Sequence, residues 1–247
     1  RNLEGDGHVY RTLGPRDGTI CVDTTLSSFS KVGPMTIVAF DLKARLKSGE
    51  PVMDLTTRFG FFPAQALVRQ AGLGAGQVDK SYLELPGELQ DLTPRDPRLA
   101  AGQLRMLDRV DYFDPTGGKS GLGLARARQL IDPYAWYFKA HFFGDPVQPG
   151  SLGLDALVQL LTRASLLKGL GTAHGTHVET LAANMPVKWS YRGQVTPEKK
   201  EVTTVMEILE IAGGDHRRIV TGRGSLWCDG LRIYEANPIS IAFTSPR

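Results

Sequence analysis

The stretch WYFKAHFFGDPVQPGSLGLDALVQLL, residues 136–161, decides how the chain is read. It sets one histidine, His141, ahead of a Pro-Gly step and then places a carboxylate, Asp155, inside an apolar run. Pro149-Gly150-Ser151 marks the start of a helix expected over residues 151–169, with Ser151 as its N-cap. Leu152, Leu154, Leu157, Val158, Leu160, Leu161, Leu166 and Leu167 cover most of that helix's circumference. A helix apolar nearly all round is wrapped by other structure, not laid on a surface.

The residue types around this step suit acid–base chemistry. A helix N-terminus offers free N–H groups and the positive end of the dipole. Glycine at position 150 lets a ligand approach the backbone closely. Such an end can hold a developing oxyanion, for example that of an enolised thioester. His141, expected at a strand end or in a loop, titrates near neutrality and can act as a base. Asp155 lies one turn into the helix among leucines, where burial raises a carboxyl pKa and lets it donate a proton. Gln159 is four residues on, on the same helix face, and can hold that carboxyl. The plainer reading is an aspartate facing solvent and a histidine satisfied in its loop.

Outward from this segment the chain reads as strands. TICVDTTLSSF, MTIVAFDLKARL and PVMDLTTRFGFF fill most of residues 1–66, separated by SKVGP and KSGE turns. PAQALVRQAGL follows as a short helix opened by proline. Residues 74–104 are rich in Pro, Gly and Asp and are expected to be a linker or an extended surface segment. MLDRVDYFDPTGGKSGLGLARARQLI gives two strands around a DPTGG turn, and VKWSYRGQV, EVTTVMEILEI, RRIVTGRGSLWC and LRIYEANPISIAF give four more after the helix. Adding 181 to Tyr10, Arg11, Gly33, Gly49 and Phe62 lands on Tyr191, Arg192, Gly214, Gly230 and Phe243, which suggests one motif used twice.

HFFGDPVQPGSLGLDALVQL resembles the signature of the β-hydroxyacyl-acyl-carrier-protein dehydratases, the FabA-like hotdog family. The resemblance runs from MLDRVDYFDPTGG through LIDPYAWYFKAHF to VKWSYRGQVTPEKKEV and DGLRIYEANPISIAF, about residues 106–243. Residues 19–66, ending in FGFFP, resemble more loosely the repeated dehydratase regions of polyunsaturated fatty acid synthases and related polyketide-type megaenzymes. The resemblance implies an α+β hotdog fold, an antiparallel sheet wrapped round a long central helix. It implies residues 1–73 as closing strands of a first, incomplete hotdog whose helix lies upstream of Arg1, 74–104 as linker, and 105–247 as a complete hotdog. It implies dehydration of β-hydroxyacyl thioesters, with double-bond isomerisation and chain length left open. His141 is then the base, Asp155 the acid, Gly150 N–H the group polarising the thioester carbonyl, and Gln159 the residue orienting the aspartate. In the family, the histidine and aspartate of one site come from adjacent hotdogs, so a dimer or pseudodimer is implied. Partners implied are an acyl carrier protein, whose phosphopantetheine carries the substrate, and other domains of a multienzyme; no metal or redox cofactor is implied. The chain departs from the bacterial pattern at Ala140 and Ser151, where cysteines are common, and at Gln148, where methionine is common. A hotdog thioesterase and a non-catalytic scaffold are the competing readings.

Composition agrees with a globular protein. The 247 residues are 41% hydrophobic and 22% charged, with net charge +3 and no basic run of the kind that binds nucleic acid. A mildly basic surface suits an acidic protein partner. No apolar stretch approaches the ~20 residues of a membrane span, and no signal peptide is seen, so a cytoplasmic protein is expected. With Arg1 in place of Met at its start, the chain is expected to be an excerpt or a processed piece of something longer. Cys21 and Cys228, far apart and in no CxxC, read as free thiols. GLGLAR at 121–126 lacks the third glycine and following helix of a dinucleotide loop. His174 and His177 have no third ligand nearby and read as surface residues. Arg217, Arg218 and Arg223 read as a solvated strand edge in preference to a carrier-protein contact.

Overall fold

The strand-rich runs and the all-round apolar helix fold as a sheet wrapped round that helix. A computed structural model describes residues 1–68, 70–75, 77–87, 90–91, 98–214 and 216–246. The strands are β1 (Asn2–Val9), β2 (Ile20–Val32), β3 (Met35–Leu46), β4 (Pro51–Phe61), β5 (Gln90–Asp91), β6 (Arg109–Asp114), β7 (Leu124–Leu130), β8 (His177–Glu179), β9 (Met185–Tyr191), β10 (Glu201–Gly213), β11 (Arg217–Cys228) and β12 (Leu231–Thr244). The helices are α1 (Ala64–Val68), α2 (Gln77–Glu84), α3 (Trp136–Ala140) and α4 (Gly150–Leu167). The strands form one antiparallel sheet in the order β2-β3-β4-β1-β9-β12-β11-β10-β7-β6-β5, with β8 on β12. The fold is α+β of hotdog type.

The C-terminal strands curl around α4. Leu157, Leu160, Leu161 and Ala164 are wholly buried against β7, β10, β11 and β12. Two hydroxyls on the buried helix are satisfied within it: Thr162 donates to Val158 O (2.9 Å) and Ser165 to Leu161 O (2.7 Å). At the helix N-terminus the sheet comes very close. A Cβ at Gly153 would lie 1.9 Å from Tyr234 Cε2, and one at Gly150 would lie 2.7 Å from Tyr191 Cε2.

The first strand set repeats the second. β1-β4-β3-β2 has the neighbour order of β9-β12-β11-β10. β1 and β9 join the sets antiparallel, with Glu4 opposite Ser190 and Val9 opposite Met185. Under the 181-residue offset Ser190 is the counterpart of Val9 and Met185 that of Glu4, so the pairing is its own image, as a two-fold axis requires. Gly49 and Gly230 close the matching hairpins, both with left-handed φ (98° and 79°). One difference separates the halves. α4 covers the apolar face of β10–β12. Among the described residues no helix covers the face of β2 that carries Ile20, Val22, Leu26 and Phe29, all exposed.

Residues 74–104 differ from the linker or extended segment expected of them. They contain α2, which packs Tyr82 and Leu83 on a second small core with Leu124, Val205 and Trp227. Arg126 fixes the end of this helix. Its guanidinium donates to the carbonyls of Tyr82, Leu83 and Leu85 (2.7–2.8 Å) and to Asp111 Oδ1 (2.9 Å). The basic side chain satisfies carbonyls that a helix C-terminus leaves open. Residues 76, 88–89 and 92–97 of that stretch lie outside the described residues.

Candidate functional site

His141 sits at the end of α3, as its C-cap, with its N–H donating to Tyr137 O (2.9 Å). A five-residue helix is too short for periodicity to announce, and Tyr137 and Phe138, both buried, anchor it to the core. The chain then turns back: Phe142 N–H donates to Asp145 O (3.0 Å) and Val147 N–H to His141 O (2.9 Å). The His141–Phe142 peptide bond is cis. His141 Nδ1 lies 3.0 Å from Val147 O. A carbonyl only accepts, so the neutral ring carries its proton on Nδ1 and leaves the Nε2 lone pair available as a base.

The turn is clamped from the other strand set. Arg1 donates from both terminal nitrogens to Asp145 (2.7 and 2.8 Å) and from Nε to Gln194 Oε1 (2.6 Å). Chiefly through this bond, Arg1 holds the Asp145 carboxyl below the usual carboxylate range. The first strand set thus reaches the loop that carries the histidine.

α4 begins at Gly150 with Pro149 as N-cap, one residue earlier than expected. Ser151 is therefore inside the helix, exposed, and caps nothing. Pro149 fixes its own φ near the required value and supplies no side-chain acceptor. Gly150 N–H heads the helix and has no acceptor a turn before it. Gly150 O accepts from Tyr191 OH (3.0 Å), and burial raises the Tyr191 phenol further above neutrality, keeping it a donor.

His141 and Gly150 line one cavity of about 180 Å³, together with Gln148, Tyr191 and Tyr234. Asn2 and Phe59, from the first strand set, close its other side. A cleft of about 410 Å³ beside it shares Gly193 and Gln194 but contains neither His141 nor Gly150. The aspartate is elsewhere. Asp155 is not among the residues lining the histidine's cavity. Its Oδ2 accepts from Gln159 Nε2 (2.6 Å). Gln159, itself buried, also donates to Leu104 O (2.8 Å) and accepts from Met106 N–H (2.9 Å). All three contacts fix which way the amide faces. Burial raises the Asp155 carboxyl, opposed by the Gln159 bond. The structure thus pairs His141 with Gly150, and Asp155 with Gln159, in two separate places. No carboxylate lines the histidine's cavity among the described residues.

The remaining sequence signals fall into structural roles. GLGLAR leads into β7 and not into a helix. His174 and His177 are exposed, and no group of three or more potential metal ligands occurs among the described residues. The three arginines do not mark a strand edge, because β11 lies between β10 and β12. Arg217 pairs with Glu179 (2.8 Å) and Arg223 with Glu235 (2.8 Å) and Asp79 (3.5 Å). Cys21 and Cys228 are free thiols, and burial pushes Cys228 up to about 12. No helix among the described residues is long and apolar enough to cross a membrane.

Similarity to known proteins agrees with this fold. An acyl-CoA thioesterase II from Mycobacterium marinum superposes on all of this chain and 81% of its own, with TM-score 0.55 and 11% identity. A putative MaoC domain protein dehydratase from Chloroflexus aurantiacus covers all of this chain and 76% of its own, at 0.53 and 10%. A conserved hypothetical protein of Mycobacterium tuberculosis with a double hotdog fold covers 98% and 75%, at 0.54 and 12%. At such identities these matches speak for the fold alone. In sequence, the chain is 30% identical to one of the subunits of the polyunsaturated fatty acid synthase of a Thraustochytrium species, over 99% of this chain and 18% of that protein. The chain thus spans about a fifth of that relative's length. The FabA-like domain family matches residues 99–237, more than half of the 247, and the chain belongs to that family.

Proposed function

We propose that the chain dehydrates 3-hydroxyacyl thioesters, presented by an acyl carrier protein, to enoyl thioesters. The observation that carries this reading is the shared cavity of His141 and Gly150, with Nε2 open and a helix N-terminus facing the same space. His141 Nε2 removes the Cα proton. Gly150 N–H and the helix dipole hold the negative oxygen of the enolised thioester. A neutral carboxylic acid gives its proton to the leaving hydroxyl, which departs as water. No redox or metal step is needed for this loss of water. The 410 Å³ cleft gives the phosphopantetheine arm room beside the reacting carbons.

Asp155 is an acid of the required kind, raised by burial and oriented by Gln159. Because it lies outside the cavity of His141, it serves a histidine of an adjacent hotdog. His141 in turn takes its acid from the helix that completes the first strand set. We read residues 1–73 as closing strands of that first hotdog, 74–104 as the connection, and 105–247 as the complete one. The self-imaging β1–β9 register and the uncovered face of β2 support this division. The occupant of that face is an apolar helix equivalent to α4, bearing a carboxylate one turn in.

The test is incubation with a 3-hydroxyacyl pantetheine thioester, followed by mass spectrometry, on this chain and on a longer polypeptide that supplies such a helix. Enoyl thioester is expected from the longer form, with the rate falling at least 10²-fold in His141→Ala, the lower end of what one general base contributes. Free acid instead of enoyl thioester would make the protein a thioesterase. No turnover in either form would make it a scaffold.

A further inference from the structure

Gln148 lines the cavity of His141 and Gly150 and is 2% exposed. Its Oε1 is buried with no hydrogen-bond partner among the described residues. Its Nε2 reaches only the sulfur of Met106, at 4.0 Å, a weak acceptor. The backbone is held, since Gln148 N–H donates to Val195 O (2.9 Å), so the residue is fixed while its amide is not satisfied. A buried polar group without a partner costs stability, and an apolar side chain of similar size would fill the same space without that cost. Gln148 lines the cavity, so a turn about its last torsion lets a ligand there supply the missing partner.

The position narrows what that partner is. Val147, one residue before, holds His141 Nδ1, and Gly150 follows two residues later. Gln148 therefore lines the same cavity as the base and the N–H that receives the thioester oxygen. A thioester with Cα at His141 and its carbonyl at Gly150 brings its 3-hydroxyl to this neighbourhood. A hydroxyl both donates and accepts, so it satisfies either end of an amide, and the last torsion of glutamine is soft enough to present either. We propose that Gln148 is a specificity-determining residue whose side-chain amide hydrogen-bonds the 3-hydroxyl of the acyl thioester held between His141 and Gly150. The proposal rests on the dehydratase reading above.

The test separates the two. In a His141→Ala background, which stops turnover, equilibrium binding is measured for a 3-hydroxyacyl pantetheine thioester and its saturated counterpart, with and without Gln148→Met. Melting temperatures of the ligand-free proteins are recorded alongside, with Gln148→Leu as a second apolar variant. With Gln148 present, the hydroxylated ligand is expected to bind roughly tenfold more tightly, the scale of one buried hydrogen bond. Gln148→Met is expected to abolish that preference and to raise the ligand-free melting temperature. A tenfold preference that survives in Gln148→Met overturns the assignment and leaves the dehydratase reading intact. A lower melting temperature in both apolar variants shows the amide already satisfied and also overturns it. Failure of both thioesters to bind either protein removes the thioester reading, and the ligand assigned to Gln148 falls with it.

Discussion

At the scale of single residues, Asp155 carries the clearest pH signature. Burial raises its folded-state pKa above the ordinary 3.8. Between those two values the folded state holds more protons than the unfolded state. Stability therefore falls as pH rises through that window and stays lowered above it. Asp155→Asn keeps an oxygen to accept from Gln159 and removes the charge. The variant is expected to match the wild type in stability below the ordinary carboxylate range and to exceed it at neutral pH. Urea denaturation at about pH 3.5 and pH 7.5 checks this; a variant less stable than wild type at the higher pH would show that the carboxylate is stabilised where it sits. Asp155, Gln159 and their contact were legible because the i,i+4 spacing on an apolar helix leaves little else for them to do. The separation of Asp155 from His141's cavity was not legible from spacing, since fourteen residues of chain fix no direction. Ser151 misled because serine is a good N-cap in general, while Pro149 starts this helix one residue sooner. The unmet amide of Gln148 had no sequence signal beyond its departure from an apolar residue.

Elements follow the same logic of what a local pattern can specify. α4 was legible almost to the residue, because an apolar run bounded by Pro-Gly has few alternatives. α2 was hidden by the glycines and prolines on either side of it, and what stabilises it is remote: Arg126 on β7 and Asp111 on β6. The arginines of β11 read as an edge because charge in a strand usually means solvent, yet each of Arg217 and Arg223 finds a carboxylate on a neighbouring element. The approach of α4 to the sheet predicts a further outcome. Alanine is intrinsically better than glycine inside a helix by about 1 kcal/mol. At position 153, however, the new methyl would meet the ring of the buried Tyr234, and overpacking costs about 1–3 kcal/mol. Gly153→Ala is expected to lose up to about 2 kcal/mol net in chemical denaturation, with reduced turnover because the Gly150 end of the helix moves with it. A raised stability would show that the Tyr234 ring yields at no cost.

For the whole molecule, the repeat turns an exposed surface into a prediction. β2 is an edge strand of thirteen residues, paired among the described residues only with β3. Directly paired residues share a face, so Ile20, Val22, Leu26 and Phe29 stand with Leu46, Ala44, Phe40 and Val38. That face matches the one that α4 covers in the second set, and Phe29 is 60% exposed on it. Apolar surface of this extent beside an unpaired edge drives association. The isolated 247-residue chain is expected to self-associate with rising concentration in light scattering. Val22→Thr/Leu26→Thr/Phe29→Thr keeps the β-branched or strand-compatible character of the edge and removes the apolar surface, so it is expected to shift the chain to monomer with little change in melting temperature. A longer polypeptide bearing the proposed helix should reach the same monodisperse state without the substitutions, and in it the triple variant should lose stability, because the same side chains would then be core. Monomer at all concentrations in the unmodified chain would mean that this face tolerates water, and the division into one complete and one incomplete hotdog would lose its energetic support.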